Sequence, residues 1–324
     1  MNTSFEEKKS NYIPRNPIEI ILSSKQGTII GNIDGKKQYE LENEIIARKD
    51  EKILLHLKKA FIPFSFYCIS STQNNNKLDV KETNSLGATN TYAITFTNGN
   101  YSITELLAEI KSQMESNTTF DYVYTISYND NTSKVSFLIA SGTNISKTEL
   151  LFNTGTNKID SCLRVLGFKE EDKEFTSSTT LLSDYVVDMA DGLDSLRCLS
   201  NLVGDNIVST TGGQNGGELL ILPVDLSPNS ILYFDEGNNP FKHKISFSSI
   251  KNIDITFSDG RNNIVDFNNI PYTLILIAEF QFDPNNSINV NNQNLNQAPK
   301  RTMIDDEEVK KNMIKIIMNK KQKI

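Results

Sequence analysis

Residues Gly217 to Phe282 read GELLILPVDLSPNSILYFDEGNNPFKHKISFSSIKNIDITFSDGRNNIVDFNNIPYTLILIAEFQF, a series of short apolar runs separated by turn residues at nearly regular spacing. Runs of this length, rich in Ile, Phe, Tyr and Leu and bounded by Asn, Asp, Gly and Pro, predict strands of an antiparallel sandwich or barrel. Leu219 to Leu222 is the first, closed by Pro223, which cannot donate to a ladder. Ile231 to Phe234 is the second. In the third, Ile253, Ile255 and Phe257 alternate with Asp254, Thr256 and Ser258, so one face is buried and the other wetted. Asp259-Gly260 turns the chain. Leu274 to Ala278, apolar on both faces, is expected at the centre of a sheet.

Working outward, the N-terminal third carries the same texture. Residues 1–17 hold charge and two prolines, Pro14 and Pro17, and read as an extended arm. Ile18 to Leu22, Tyr39 to Ala47 and Lys52 to Lys58 are strand candidates, the last with Ile53, Leu55 and Leu57 on one face. Ala60 to Ser70 (AFIPFSFYCIS) is a further candidate with Pro63 as a kink or edge.

Between about Asn74 and Thr180 the pattern changes. Tyr92 to Thr97 predicts a strand and Asn98-Gly99 a turn. From Ser102 to Met114, Ile103, Leu106, Leu107, Ile110 and Met114 recur at helical spacing, with Ser102 and Glu105 placed as a capping box. Tyr122 to Tyr128 and Lys134 to Ala140 flank Asn129-Asp130-Asn131, a hairpin signal. A short helical patch is expected from Ile159 to Gly167. The order strand, helix, strand, strand, helix predicts an α+β insertion domain, residues 76–179, interrupting a β domain formed by 18–75 and 180–283. Tyr185 to Met189 and Leu196 to Leu199 resume strands, and TTGGQNGG (Thr210 to Gly217) predicts a mobile loop.

Residues 284–324 form an Asn-rich linker and an amphipathic tail. Thr302 and Asp305 suit a helix start and Lys320, Lys321 and Lys323 its end, while Val309, Met313, Ile316 and Ile317 make one apolar stripe. That stripe is the candidate docking surface. From Lys300 to Ile324 eight basic residues stand against four acidic ones, +4 in a chain whose net charge is −7.

At 324 residues the chain can build one large β domain or two ordinary ones. Its acidic balance argues against a surface that binds nucleic acid. Cys68, Cys162 and Cys198 lie far apart, so neither zinc site nor disulfide framework is indicated. No apolar run reaches the roughly 18 residues that span a bilayer, and the polar start does not read as a signal peptide. A cytosol-like folding compartment is expected. Of the two histidines, His56 and His243, neither has a triad spacing to Ser, Asp or Cys, which favours surface or structural roles. The glycines near Thr211 lack the Lys-Ser/Thr of a phosphate loop. Glu170-Glu171-Asp172 and Asp225 read as solvated turns without the ligand spacing of a calcium loop. No catalytic residue, cofactor or metal ligand is expected, and no enzyme.

LLILPVDLSPNSILYF (Leu219 to Phe234) and the run from Ile245 to Phe280 resemble penton or minor capsid proteins of virophages, Polinton-like viruses and related large DNA viruses. FIPFSFYCIS, TFTNGNYSITELLAEIKSQM (Thr95 to Met114) and LRVLGF (Leu163 to Phe168) resemble the same group. The resemblance implies a mainly β protein: a single jelly roll, often with an insertion domain, that forms homopentamers at icosahedral vertices beside trimers of a major capsid protein. It implies a virion location, with synthesis in host cytoplasm or a viral factory, and other minor capsid proteins as further partners. Two alternatives share the composition. One is a minor capsid or cement protein between or beneath capsomers. The other is a jelly-roll carbohydrate-binding or attachment module, against which the absence of Trp counts.

Overall fold

The computed structural model describes residues 12–204, 217–237 and 240–283. These contain seventeen strands in chain order. The first four are β1 (Ile18–Ser23), β2 (Thr28–Ile29), β3 (Lys36–Ile46) and β4 (Glu51–Pro63). Then come β5 (Lys77–Asn84), β6 (Thr89–Thr95), helix α1 (Ile103–Asn117), β7 (Val123–Asn129), β8 (Lys134–Ser141), β9 (Ile145–Leu150), β10 (Lys173–Phe175) and β11 (Leu181–Leu182). The remainder are β12 (Ser195–Ser200), β13 (Gly217–Pro223), β14 (Ile231–Asp235), β15 (His243–Lys244), β16 (Ser249–Ser258) and β17 (Thr273–Phe282).

Two of the four sheets build a sandwich. One runs β1-β17-β4-β14, with β15 also on β4; the other runs β13-β12-β16-β3-β2. Number the eight long strands outside residues 77–182 from one to eight along the chain. The sheets then read 1-8-3-6 and 5-4-7-2, a pair of antiparallel sheets in jelly-roll order.

Alternation explains each strand. Ile253, Ile255 and Phe257 of β16 are fully buried while Asp254 and Thr256 between them are half-exposed. In β17 the inward set is Leu274, Leu276, Ala278 and Phe280, and β1 brings Ile20 opposite Leu276 and Leu22 opposite Leu274. As expected, β17 lies inside its sheet, flanked by β1 and β4. Removing each such aliphatic or aromatic side chain from water contributes roughly 2 kcal/mol. Phe257 of β16 meets Tyr272 edge-on at 4.8 Å, and Tyr39 of β3 donates its hydroxyl proton to the Tyr272 oxygen at 3.0 Å. Burial pushes the Tyr39 phenol up to about 12, so this pair stays protonated.

The segment between β4 and β12 forms the other two sheets, β10-β9-β5-β6 and β11-β8-β7. Leu106, Leu107, Ile110 and Met114 of α1 are buried in one cluster with Leu78, Val80, Ile94, Phe137, Ile139, Phe152 and Phe175. The capping box forms as read: the Glu105 amide donates to Ser102 Oγ at 3.3 Å and the Ser102 amide to Glu105 Oε2 at 2.8 Å.

Several expectations are corrected. Lys52 to Lys58 and the start of Ala60 to Ser70 are one strand, β4, whose buried positions shift by one across Lys58-Lys59 and which ends at Pro63. Tyr185 to Met189 is not a strand. The amides of Tyr185, Val187 and Asp188 donate to Gly167, Ser133 and Val165 oxygens, three separate partners that make no ladder. Of the expected helical patch only Ile159 and Asp160 are helical, in the 3-10 turn Lys158–Asp160, because the Cys162 amide donates instead to the Lys77 oxygen of β5 at 2.9 Å. Strands β5, β9 and β10 are additional to the sequence expectation. The first eleven residues, the loop Thr210 to Gly216 and the whole tail lie outside the described residues.

The chain divides into two compact units. The larger holds Arg15–Ile46 and Ile53–Phe280. Of the described residues, the smaller holds 12–14, 47–52 and 281–283. Within the smaller unit the Tyr12 ring lies 5.3 Å from that of Phe282, and the Tyr12 hydroxyl donates to Glu51 Oε1 at 3.2 Å.

Candidate functional site

The docking stripe expected at Val309, Met313, Ile316 and Ile317 lies outside the described residues. The other sequence candidates can be placed. His56 points from β4 between two carboxylates, with Nδ1 2.5 Å from Glu236 Oε2 and Nε2 3.3 Å from Glu279 Oε1; Lys242 Nζ in turn reaches Glu279 at 2.6 Å. His243 is buried on β15 with its ring 4.8 Å from Phe241. Burial pushes its imidazole below the ordinary histidine value against the opposing pull of Glu236. Both residues are buried, and neither is a surface histidine. Cys162 and Cys198 are buried free thiols pushed up by burial, and burial raises Cys68 to about 11, so none is a reactive thiolate. Asp172 accepts the Asn153 amide at 2.8 Å and the Thr154 amide at 3.1 Å, a loop-closing role. Among the described residues no group of three or more His, Cys, Asp or Glu is arranged to hold a metal ion. Nor is any described helix long and apolar enough to cross a membrane.

Two polar constellations were not legible in the sequence. The first joins the two chain crossings of the intervening segment. Asn75 Nδ2 donates to Asp191 Oδ2 and to the Cys68 oxygen, each at 2.8 Å, and Arg261 Nη1 donates to Asp191 Oδ1 at 2.6 Å. Burial raises the Asp191 carboxyl, while Asn75 and Arg261 act the other way. Gly192, at φ +95°, carries the chain past Arg261, where a Cβ would come within 2.8 Å of Nε. This clasp ties entry and exit of the segment to the β16–β17 connection.

The second is a cleft of about 510 Å³ where four connections converge. Phe64, Ser65 and Tyr67 follow β4, Asn100 precedes α1, Pro228 and Asn229 lie before β14, and Asn268 and Ile270 precede β17. Its walls are cross-bonded. The Phe64 amide donates to the Ser230 oxygen at 2.8 Å and the Asn229 amide to the Phe64 oxygen at 2.9 Å. Ser65 Oγ donates to the Phe267 oxygen at 2.7 Å, and Asn100 bridges the Cys68 amide and the Phe66 oxygen at 2.8 and 3.1 Å. In the sequence these asparagines read only as turn formers; what tertiary structure adds is their convergence around one tyrosine.

Comparison with known proteins gives a likeness in structure and none in sequence. No protein-family model matches the chain, and no curated protein matches it. Among solved structures, the chain is similar to the mavirus penton protein, at 12% identity and a TM-score of 0.46, over 82% of this chain and 100% of that one.

Proposed function

We propose that this chain is a structural virion protein, a penton that forms homopentamers at the vertices of an icosahedral capsid and contacts major capsid protein trimers. The observation that carries the reading is the strand order 1-8-3-6 with 5-4-7-2, an architecture used by capsid and lectin domains, with an additional two-sheet segment spliced between its third and fourth strands. The sequence resemblance to virophage and Polinton-like penton proteins points the same way. In this reading the segment 76–179 is an insertion domain, and the stripe Val309, Met313, Ile316 and Ile317 docks the tail on a neighbouring capsid component. The buried histidines and inert thiols serve the fold.

Sedimentation of the purified full chain tests the self-association, with pentamers as the expected species. Reconstruction of virions carrying an epitope on the exposed Leu86 turn tests the location, with label expected at five-fold positions. A monomeric chain whose label lies between or beneath capsomers would replace the penton by the cement-protein alternative.

A further inference from the structure

The cleft built by Tyr67, Asn229 and Asn268 has features that a scaffold does not require. Its volume of about 510 Å³ lies within the roughly 300–1,000 Å³ typical of small-ligand sites. Its walls mix an aromatic ring and the apolar surfaces of Phe64, Pro228 and Ile270 with carboxamides. Tyr67 is 37% exposed and Ile270 48%, so apolar surface at the cleft is wet. Among the described residues the Tyr67 hydroxyl and the Asn229 carboxamide find no hydrogen-bond partner, although the Asn229 backbone is fixed by its bond to Phe64. Asn268 donates from Nδ2 to the Ser65 oxygen at 2.5 Å, which orients its carboxamide and leaves Oδ1 as an acceptor. The Asn268 acceptor is therefore held in place, beside a tyrosine hydroxyl and a second carboxamide whose capacity is unused among the described residues.

The charge pattern narrows the ligand. Among the described residues no Lys, Arg, Asp or Glu lines the cleft, so an anion would find no counter-charge there and a cation no carboxylate. The complementary molecule is neutral, carries several hydroxyls for the amides, and has one apolar face for the tyrosine ring. A hexose has that chemistry: axial C–H groups on one face of the ring and hydroxyls around its rim. A nucleotide would stack equally well but would bring a phosphate to walls that hold no cation.

From this geometry we infer that the Tyr67 cleft is a binding site for a neutral sugar. The site is independent of the proposed vertex role, since its residues are not those assigned to assembly.

Saturation-transfer NMR on the full chain with glucose, galactose, mannose, fucose, N-acetylglucosamine and N-acetylgalactosamine tests it, with N-acetylneuraminic acid as the charged comparison. At least one neutral sugar is expected to saturate in the millimolar range. Tyr67→Ala should weaken that sugar roughly tenfold through the lost ring face. Asn229→Gly should weaken it about fivefold; glycine is chosen because Asn229 sits at φ +68°, which alanine would strain. Both residues are exposed, so the melting temperature and sedimentation of each variant should match the parent chain. Saturation by none of the neutral sugars, binding of N-acetylneuraminic acid alone, or unchanged affinity in both variants would each overturn the assignment.

Discussion

In the sandwich, the inward positions of β16 and β17 are aliphatic or aromatic without interruption, whereas in the intervening segment the inward run of β5 passes from Leu78 and Val80 directly to Glu82. Glu82 is fully buried, and its hydrogen-bond donors among the described residues are all neutral. The Tyr124 hydroxyl donates to Oε1 at 2.6 Å and Tyr92 to the same oxygen at 2.9 Å; Thr118 and Asn90 serve Oε2 at 2.9 and 3.3 Å. Burial above all raises both tyrosines, and Glu82 adds to the rise in each, which keeps their protons available for donation. The sandwich satisfies buried charges with backbone amides or an opposite charge. There Asp34 receives the Phe267 and Asn269 amides at 2.6 and 2.9 Å, and Arg197 of β12 pairs with Glu218 of β13. The contrast teaches that one chain can specify register in two ways. A continuous apolar face fixes which side of a strand is buried, and a single satisfied carboxylate fixes which donors must meet.

The largest expected break in this comparison is excision. The segment has its own hydrophobic cluster, and Asn75 and Asp191 touch each other just outside it, so replacing residues 77–189 by a short linker should leave a cooperatively melting β protein by circular dichroism. A remainder without a cooperative transition would sink the idea of an insertion that folds on its own.

A smaller effect comes from Glu82→Ala. Three hydroxyls and one amide lose their acceptor, and the expected cost is about 3 kcal/mol, because buried donors left without partners retain their full desolvation penalty. Tyrosine fluorescence during urea unfolding should show the segment melting before the sandwich. Glu82→Gln, which keeps an acceptor, should lose less. Equal midpoints for all three proteins would remove Glu82 from the account.

The smallest effect is a slope with pH. The folded-state value of His243 lies below its unfolded value, so the unfolded chain takes the proton more readily. The contribution of neutral His243 is complete above about pH 6.5 and is lost as pH falls through the window beneath it. Melting temperature should therefore decline on acidification, and His243→Gln should flatten the decline relative to the parent chain. Parallel slopes would mean that the buried imidazole is not what titrates.

Sequence alone determined the parts whose information is local. Short apolar runs between turn residues placed β13, β14 and β17, period-two alternation placed β16, the Ser102 and Glu105 pair placed α1, and Asn129 to Asn131 placed a hairpin, since each depends on neighbours within a few residues. Strands β5 and β9 were hidden because KLDVKETN and ISKTEL look wetted; Glu82 and Thr148 hold inward positions that become acceptable only when Tyr92, Tyr124 and their companions arrive from other strands. The extended run at Tyr185 had strand composition but found its hydrogen-bond partners in three different places. Tertiary structure likewise decided the histidines, the Asp191 clasp and the Tyr67 cleft. Their members are separated by up to some two hundred residues, and no pattern of spacing encodes a meeting that depends on how the sheets and connections close. Short-range order follows from steric and hydrophobic period, while the burial of a charge or the assembly of a site is a property of the closed chain.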